Sequence, residues 1–174
     1  MKRLLYLITT FIIILTWSSC RNDFEFSPST GNLTFSKDTV YLDTIFANIG
    51  SSTYNLKVYN NSDEDISIPT IQLSNGENSG YRLNVDGISG KSFENVQLLA
   101  KDSMFVFVET TYNTTTNPLP TTEFLYTDAI EFDSGNNLQK VELVTLVKDA
   151  IFIYPDRDNT TQVIETLTLT VDGE

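Results

Sequence analysis

The sequence predicts an all-β protein, an antiparallel sandwich of seven to nine strands, and three observations carry that prediction. From Leu33 onward, short runs rich in Val, Ile, Tyr, Phe and Thr recur between clusters of Asn, Asp, Gly and Ser. No long stretch repeats apolar residues at i, i+3, i+4 and i+7, so amphipathic helices are not expected. With 40% hydrophobic and 11% aromatic residues in 174, the chain can bury one ordinary core. A body of about 120 residues suits a sandwich better than a barrel.

The elements follow in chain order. "TVYLDTIF" (39–46) places Val40, Leu42 and Phe46 on one face, with Thr44 mid-strand on that same face. "YNLKVYN" (54–60) alternates Tyr54, Leu56 and Val58 against Asn55, Lys57 and Tyr59. "YRLNV" (81–85) alternates Tyr81, Leu83 and Val85 against Arg82 and Asn84. "MFVFV" (104–108) is apolar on both faces and predicts a central strand covered on each side; "VELVTLV" (141–147) is nearly so. "NNSDED" (60–65), "NGENSG" (75–80), "DGISG" (86–90) and "DSGNN" (133–137) carry turn chemistry, because Asn, Asp and Gly tolerate positive φ or bond their own backbone. "TTYNTTTNPLPTTE" (110–123), with two prolines, reads as a blunted edge or mobile loop. "TLTLTV" (166–171) reads as a last strand that pairs with the sandwich or with a further neighbour.

The formal net charge of −12 opposes a phosphate backbone, so nucleic acid is not an expected partner. The absence of histidine removes the usual general base near neutral pH and the commonest metal ligand, and no cofactor is expected. Carboxylate pairs could act without histidine, but no spacing among the 23 acidic residues singles one out. A non-catalytic protein is the expectation. One cysteine excludes an intramolecular disulfide.

That cysteine sits in "TWSSCRNDF" (16–24). Lys2 and Arg3 precede a charge-free apolar run over 4–17, the length of a signal-peptide core and short of the ~20 residues that span a bilayer. Ser18, Ser19 and Cys20 resemble the lipobox of bacterial lipoproteins. The resemblance implies cleavage before Cys20 and lipid attachment at its thiol, hence membrane partnership through N-terminal acyl chains. Trp17 stands at the −3 position where a leucine-like residue is usual, with Leu15 two places earlier, a relaxed form like that of Bacteroidetes. An ordinary secretory signal and an uncleaved anchor remain alternatives. Cleavage would leave 9 basic against 23 acidic residues, so anionic headgroups would repel the mature chain. Attachment would rest on the acyl chains, at about 0.8 kcal/mol per buried methylene. "RNDFEFSPSTGN" (21–32) reads as a spacer. The organisation expected is a signal peptide over 1–19, lipidated cysteine and flexible tether over 20–32, sandwich over 33–154, and a terminal strand or linker over 155–174.

The order "LTFSKDTVYLDTIFANIGSSTYNLKVYNNSDEDISIPTIQLSNG...YRLNVDGISG...LLAKDSMFVFVETT" resembles the N-terminal Ig-like, Hydin-type module of Bacteroidetes lipoproteins that otherwise carry a right-handed parallel β-helix. The resemblance runs over about residues 20–154. It implies an Ig-like sandwich at the outer membrane, facing the periplasm or the surface, acting as a structural or protein-interaction module. A surface glycan binder is the alternative. The chain ends near where such a β-helix would begin, so the expectation is the module alone.

Three tripeptides, Asp38-Thr39-Val40, Asp43-Thr44-Ile45 and Asp102-Ser103-Met104, are similar to the O-glycosylation acceptor of exported Bacteroidetes proteins. They nominate Thr39, Thr44 and Ser103, with Thr44 weakest because of its strand face; the same tripeptides are also how a strand begins. Tyr59, Tyr112, Phe124 and Tyr126 are the aromatics nominated to stack on sugar rings, since Trp17 would leave with the signal. "SDEDIS" (62–67) and "PDRDNTT" (155–161) read as solvated turns rather than calcium loops. No metal site is expected.

Overall fold

In the computed structural model, which describes residues 2–3, 25–150, 152, 155–164 and 166, the β-periodic runs become twelve strands. They are β1 (Ser27–Pro28), β2 (Thr34–Phe35), β3 (Thr39–Tyr41), β4 (Ile45–Phe46), β5 (Tyr54–Tyr59), β6 (Ile66–Leu73), β7 (Tyr81–Val85), β8 (Ile88–Gly90), β9 (Ser92–Leu98), β10 (Ser103–Thr110), β11 (Glu123–Phe132) and β12 (Gln139–Lys148). Seven are five residues or longer, and the rest are short edge pieces. Cys20, all of the expected signal peptide but residues 2–3, and nearly all of "TLTLTV" lie outside the described residues.

The strands form two sheets. One has the order β1-β6-β11-β12-β3, with β9 also on β6 and β4 also on β12; the other has the order β2-β5-β10-β7-β8. The long strands pair antiparallel, while β1 lies parallel to β6, and β3 and β4 lie parallel to β12. Hairpins join β7 to β8 and β11 to β12, and the chain otherwise passes from sheet to sheet along β5, β6 and β7 and again along β8, β9, β10 and β11. This is an Ig-like β-sandwich. Its core is the inward row of each sheet: Leu56, Val58, Tyr81, Leu83, Val85, Val106 and Val108 face Val40, Ile68, Ile71, Leu73, Ile130, Phe132, Val141 and Leu143. Each such side chain contributes about 1.5–3 kcal/mol on burial.

Turn chemistry acts where the sequence placed it. Asp86 and Gly87, with φ of 51° and 80°, supply the two left-handed residues that a two-residue hairpin of the right twist requires. Asn60 is buried and brackets its loop: its amide donates to the carbonyls of Glu64 at 2.8 Å and Leu99 at 3.0 Å, and its oxygen accepts from the Ser62 amide at 3.0 Å. Asp158 accepts from the amides of Thr160 and Thr161, both at 2.7 Å, closing the "PDRDNTT" turn upon itself.

Four expectations need correction. The 39–46 run is not one strand. Tyr41 pairs with Val144 and Ile45 with Val147, so four steps on this edge match three on β12, and the extra residue flips the inward phase. Val40, Leu42 and Ile45 are therefore buried, Phe46 is 40% exposed, and Thr44 is exposed between the strands rather than mid-strand.

The second correction concerns β10. It is central in its sheet but covered on one side: Val106 and Val108 are inward, while Phe105 and Phe107 are 48% and 42% exposed. No described element packs over that face of the sheet. Third, the 110–123 segment is the irregular, mostly exposed loop expected, but it is pinned to the fold, because Tyr112 closes a second core with Ile45, Ala47 and Val147, joined by Leu119 and Phe124. Fourth, the expected tether enters the sandwich before residue 33. The Ser27 and Ser29 amides donate to the carbonyls of Asp65 at 3.0 Å and Ser67 at 2.9 Å, and the buried Ser29 hydroxyl donates to Asp133 at 2.7 Å.

Candidate functional site

The uncovered face of the β2-β5-β10-β7-β8 sheet assembles a site from alternate residues of three strands, β5, β10 and β7. Because Leu56, Val58, Val106, Val108, Leu83 and Val85 point inward, Asn55, Lys57, Tyr59, Phe105, Phe107, Glu109, Arg82 and Asn84 must point outward. Register then fixes their neighbours: Ser103 opposite Tyr59, Phe105 opposite Lys57, Phe107 between Asn55 and Asn84, and Glu109 opposite Arg82.

At one end the face is aromatic. The Phe105 and Phe107 rings are near-parallel with centroids 6.1 Å apart, and the Lys57 ammonium lies 5.1 Å from the Tyr59 ring centroid and 5.5 Å from that of Phe105. A cation over an aromatic face is attracted by the ring quadrupole, and at an exposed position this contributes about 0.5–1 kcal/mol. The interaction holds the rings and the lysine stem together as one apolar surface.

At the other end the face is polar and cross-bonded. Arg82 reaches Glu109 at 3.2 Å and the Thr111 hydroxyl at 2.9 Å; the Thr53 hydroxyl donates to the other Glu109 oxygen at 2.5 Å. The Thr53 hydroxyl, and then the Arg82 guanidinium, hold the Glu109 carboxyl below the usual carboxylate range, so it is an anion at neutral pH. The Asn84 amide donates to the Ser89 hydroxyl at 3.1 Å. A cleft of about 330 Å³ opens between these groups and Phe107. An exposed ion pair of this kind adds little stability, so its consequence is orientation: the donors and acceptors stand at set positions before anything binds.

Of the four aromatics nominated from sequence, Tyr59 belongs to this face. The other three come together elsewhere, in the second core. Tyr112, 7% exposed, meets Phe124 edge-on at 4.9 Å and Tyr126 at 5.2 Å, and burial pushes its phenol up from the ordinary value. Tyr126 stacks on Tyr81 at 5.1 Å with the planes 5° apart, and its hydroxyl accepts from the Gly80 amide at 2.7 Å. Tyr112 is thus a buried core residue rather than a surface ring, while Phe124 and Tyr126 are half-buried against it.

Of the acceptor hydroxyls, Thr39 and Ser103 are half-buried at the first positions of β3 and β10, and the Asp102 carboxylate accepts from the Ser103 amide at 2.7 Å. Thr44, ranked weakest from sequence, is the exposed one. The residues that sequence reasoning missed are Phe105, Phe107, Arg82 and Glu109. The signal for the two phenylalanines was present in "MFVFV", where the two valines share one face and the two phenylalanines the other.

No family model and no curated protein matches the chain. Among solved structures it is similar to the E. coli chaperone DraB, at 12% identity over 72% of this chain and 58% of that one, with a TM-score of 0.42. It is similar to PapD-like domain 7 of human CEP192, at 11% identity over 76% and 94% of the two chains, with a TM-score of 0.39. It is also similar to a Porphyromonas gingivalis protein of unknown function, at 16% identity over 67% and 48%, with a TM-score of 0.41. The chain thus spans less than two thirds of DraB and of the P. gingivalis protein. These are likenesses of fold.

Proposed function

We propose that the chain is an exported lipoprotein, held at the outer membrane by acyl chains on Cys20, whose Ig-like sandwich is a non-catalytic interaction module of the Hydin type. The tether reading is supported by the apolar run over 4–17 followed by Ser18, Ser19 and Cys20. The non-catalytic reading is supported by the absence of histidine. The module works through the outer face of the β2-β5-β10-β7-β8 sheet.

One observation carries the choice of face: Phe105 and Phe107 stand side by side, roughly half exposed, on the central strand of a sheet. Aromatic residues at the centre of a polar-rimmed surface are the usual energetic anchors of interfaces. Here the rim is Arg82, Glu109, Asn84 and Asn55, and Lys57 extends the apolar strip. A photo-crosslinking phenylalanine analogue at position 105, in cells of the native type, tests the reading. It should yield a discrete adduct, and the same analogue at Glu94, exposed on β9 of the other sheet, should yield none. Equal labelling from both positions, or none from position 105, would contradict it.

A further inference from the structure

We propose that the cleft between Phe107 and the Arg82–Glu109 pair binds one ring of a neutral sugar. The proposal rests on the reading of this face as the working one and names the chemistry of its ligand. A sugar ring has two unlike aspects: C–H groups that present an apolar face, and a rim of hydroxyls that each donate and accept. A site for it needs an apolar wall beside donors and acceptors whose positions are already set. The cleft has both.

Phe107 is the wall, 42% exposed, with Phe105 continuing it along β10. Lining the cleft with it are the Glu109 carboxylate as acceptor, the Arg82 guanidinium as planar donor, the Asn84 amide as both, and the Thr53 and Ser89 hydroxyls. Their mutual bonds, from Thr53 to Glu109, Arg82 to Glu109, and Asn84 to Ser89, fix them without a ligand. A volume of about 330 Å³ lies at the small end of ligand sites, which run from about 300 to 1,000 Å³, and suits one ring.

Charge selects among ligands. Arg82 and Glu109 lie 3.2 Å apart and cancel one another, so the cleft has no net charge to attract an ion. Beyond it the chain carries −12, which disfavours sulfated, phosphorylated or uronate sugars. A purely apolar ligand would strip water from Glu109 and Arg82 without replacing its hydrogen bonds. A neutral polyol ring satisfies the wall and the rim together.

The test uses ligand-observed saturation-transfer NMR on the full chain extracted in detergent. The probes are glucose, galactose, mannose, N-acetylglucosamine and their neutral disaccharides, with glucuronate and glucose 6-sulfate beside them. At least one neutral sugar should show transfer concentrated on ring C–H protons, with an affinity in the millimolar range, and the two anionic sugars should show at least tenfold less. Phe107→Ala should abolish the transfer, and Asn84→Ala, beside Phe107 on β7, should weaken it about tenfold, both with the thermal midpoint unchanged.

No transfer from any neutral sugar would overturn the proposal, as would binding that survives Phe107→Ala. If crosslinking from position 105 persists while every sugar fails, the occupant of the face is a protein; the interaction reading then stands and the sugar reading falls.

Discussion

Glu131 shows what single residues contribute beyond apolar burial. It lies opposite Lys140 across β11 and β12 at 2.7 Å, and also accepts from Gln72 at 3.1 Å and Ser74 at 2.9 Å. Lys140 first, then these neutral donors, hold its carboxyl below the ordinary glutamate value of 4.5. A depressed pKa means that the folded state binds its proton later than the unfolded chain does. The pair therefore stabilises the fold fully above pH 4.5 and loses that contribution as pH falls through the folded value. Glu131→Gln should lower the urea midpoint at pH 7 by more than it does at pH 3. A gap that stays constant with pH would remove the electrostatic explanation. Tyr81 works in the opposite direction: burial pushes its phenol well up, and its hydroxyl donates to the Tyr126 carbonyl at 2.8 Å. The aromatic residues also mark the limit of reading one residue at a time. Tyr112 and Phe105 are equally apolar letters in the sequence, yet one closes a core and the other faces solvent, because the 110–123 segment folds back onto Ile45 and Val147.

Elements with strict alternation were legible, and elements whose phase depends on a partner were not. β5 and β7 expose and bury the residues that period-two reading assigns them, because each is long enough for its own pattern to decide its face. The 39–46 edge misled because its phase is set by pairing with β12, where one extra residue turns Ile45 inward and Phe46 out. β1 was hidden because Ser-Pro-Ser reads as linker, whereas its hydrogen bonds go to the β6 backbone and to a buried carboxylate. Asp133 is 2% exposed, and its Oδ1 has no protein partner among the described residues. Ser29→Ala, removing the bond its Oδ2 receives, should therefore cost about 1–3 kcal/mol. The exposed Ser27→Ala beside it should stay within about 0.5 kcal/mol. Denaturant midpoints of the two variants make the comparison, and equal small effects would show that β1 is not anchored by that bond.

At the scale of the whole molecule, composition and spacing led to a β-sandwich, and the sandwich is what the chain forms. The working face was less legible than the fold. An outward row becomes a site only when three strands bring Tyr59, Phe105, Phe107, Arg82 and Glu109 onto one surface, and which strands neighbour one another is not written in any single run. Tether and face together define the proposed role, in which acyl chains on Cys20 would keep an acidic domain at the membrane. The tether is the part of this account on which the location of every interaction depends. Intact-mass analysis of membrane-extracted protein from a Bacteroidetes-like host, wild type beside Cys20→Ala, tests it most directly. A mature chain beginning at Cys20 and carrying acyl mass that is absent from the variant is the expected result. An uncleaved chain, or a free thiol at Cys20, would contradict it.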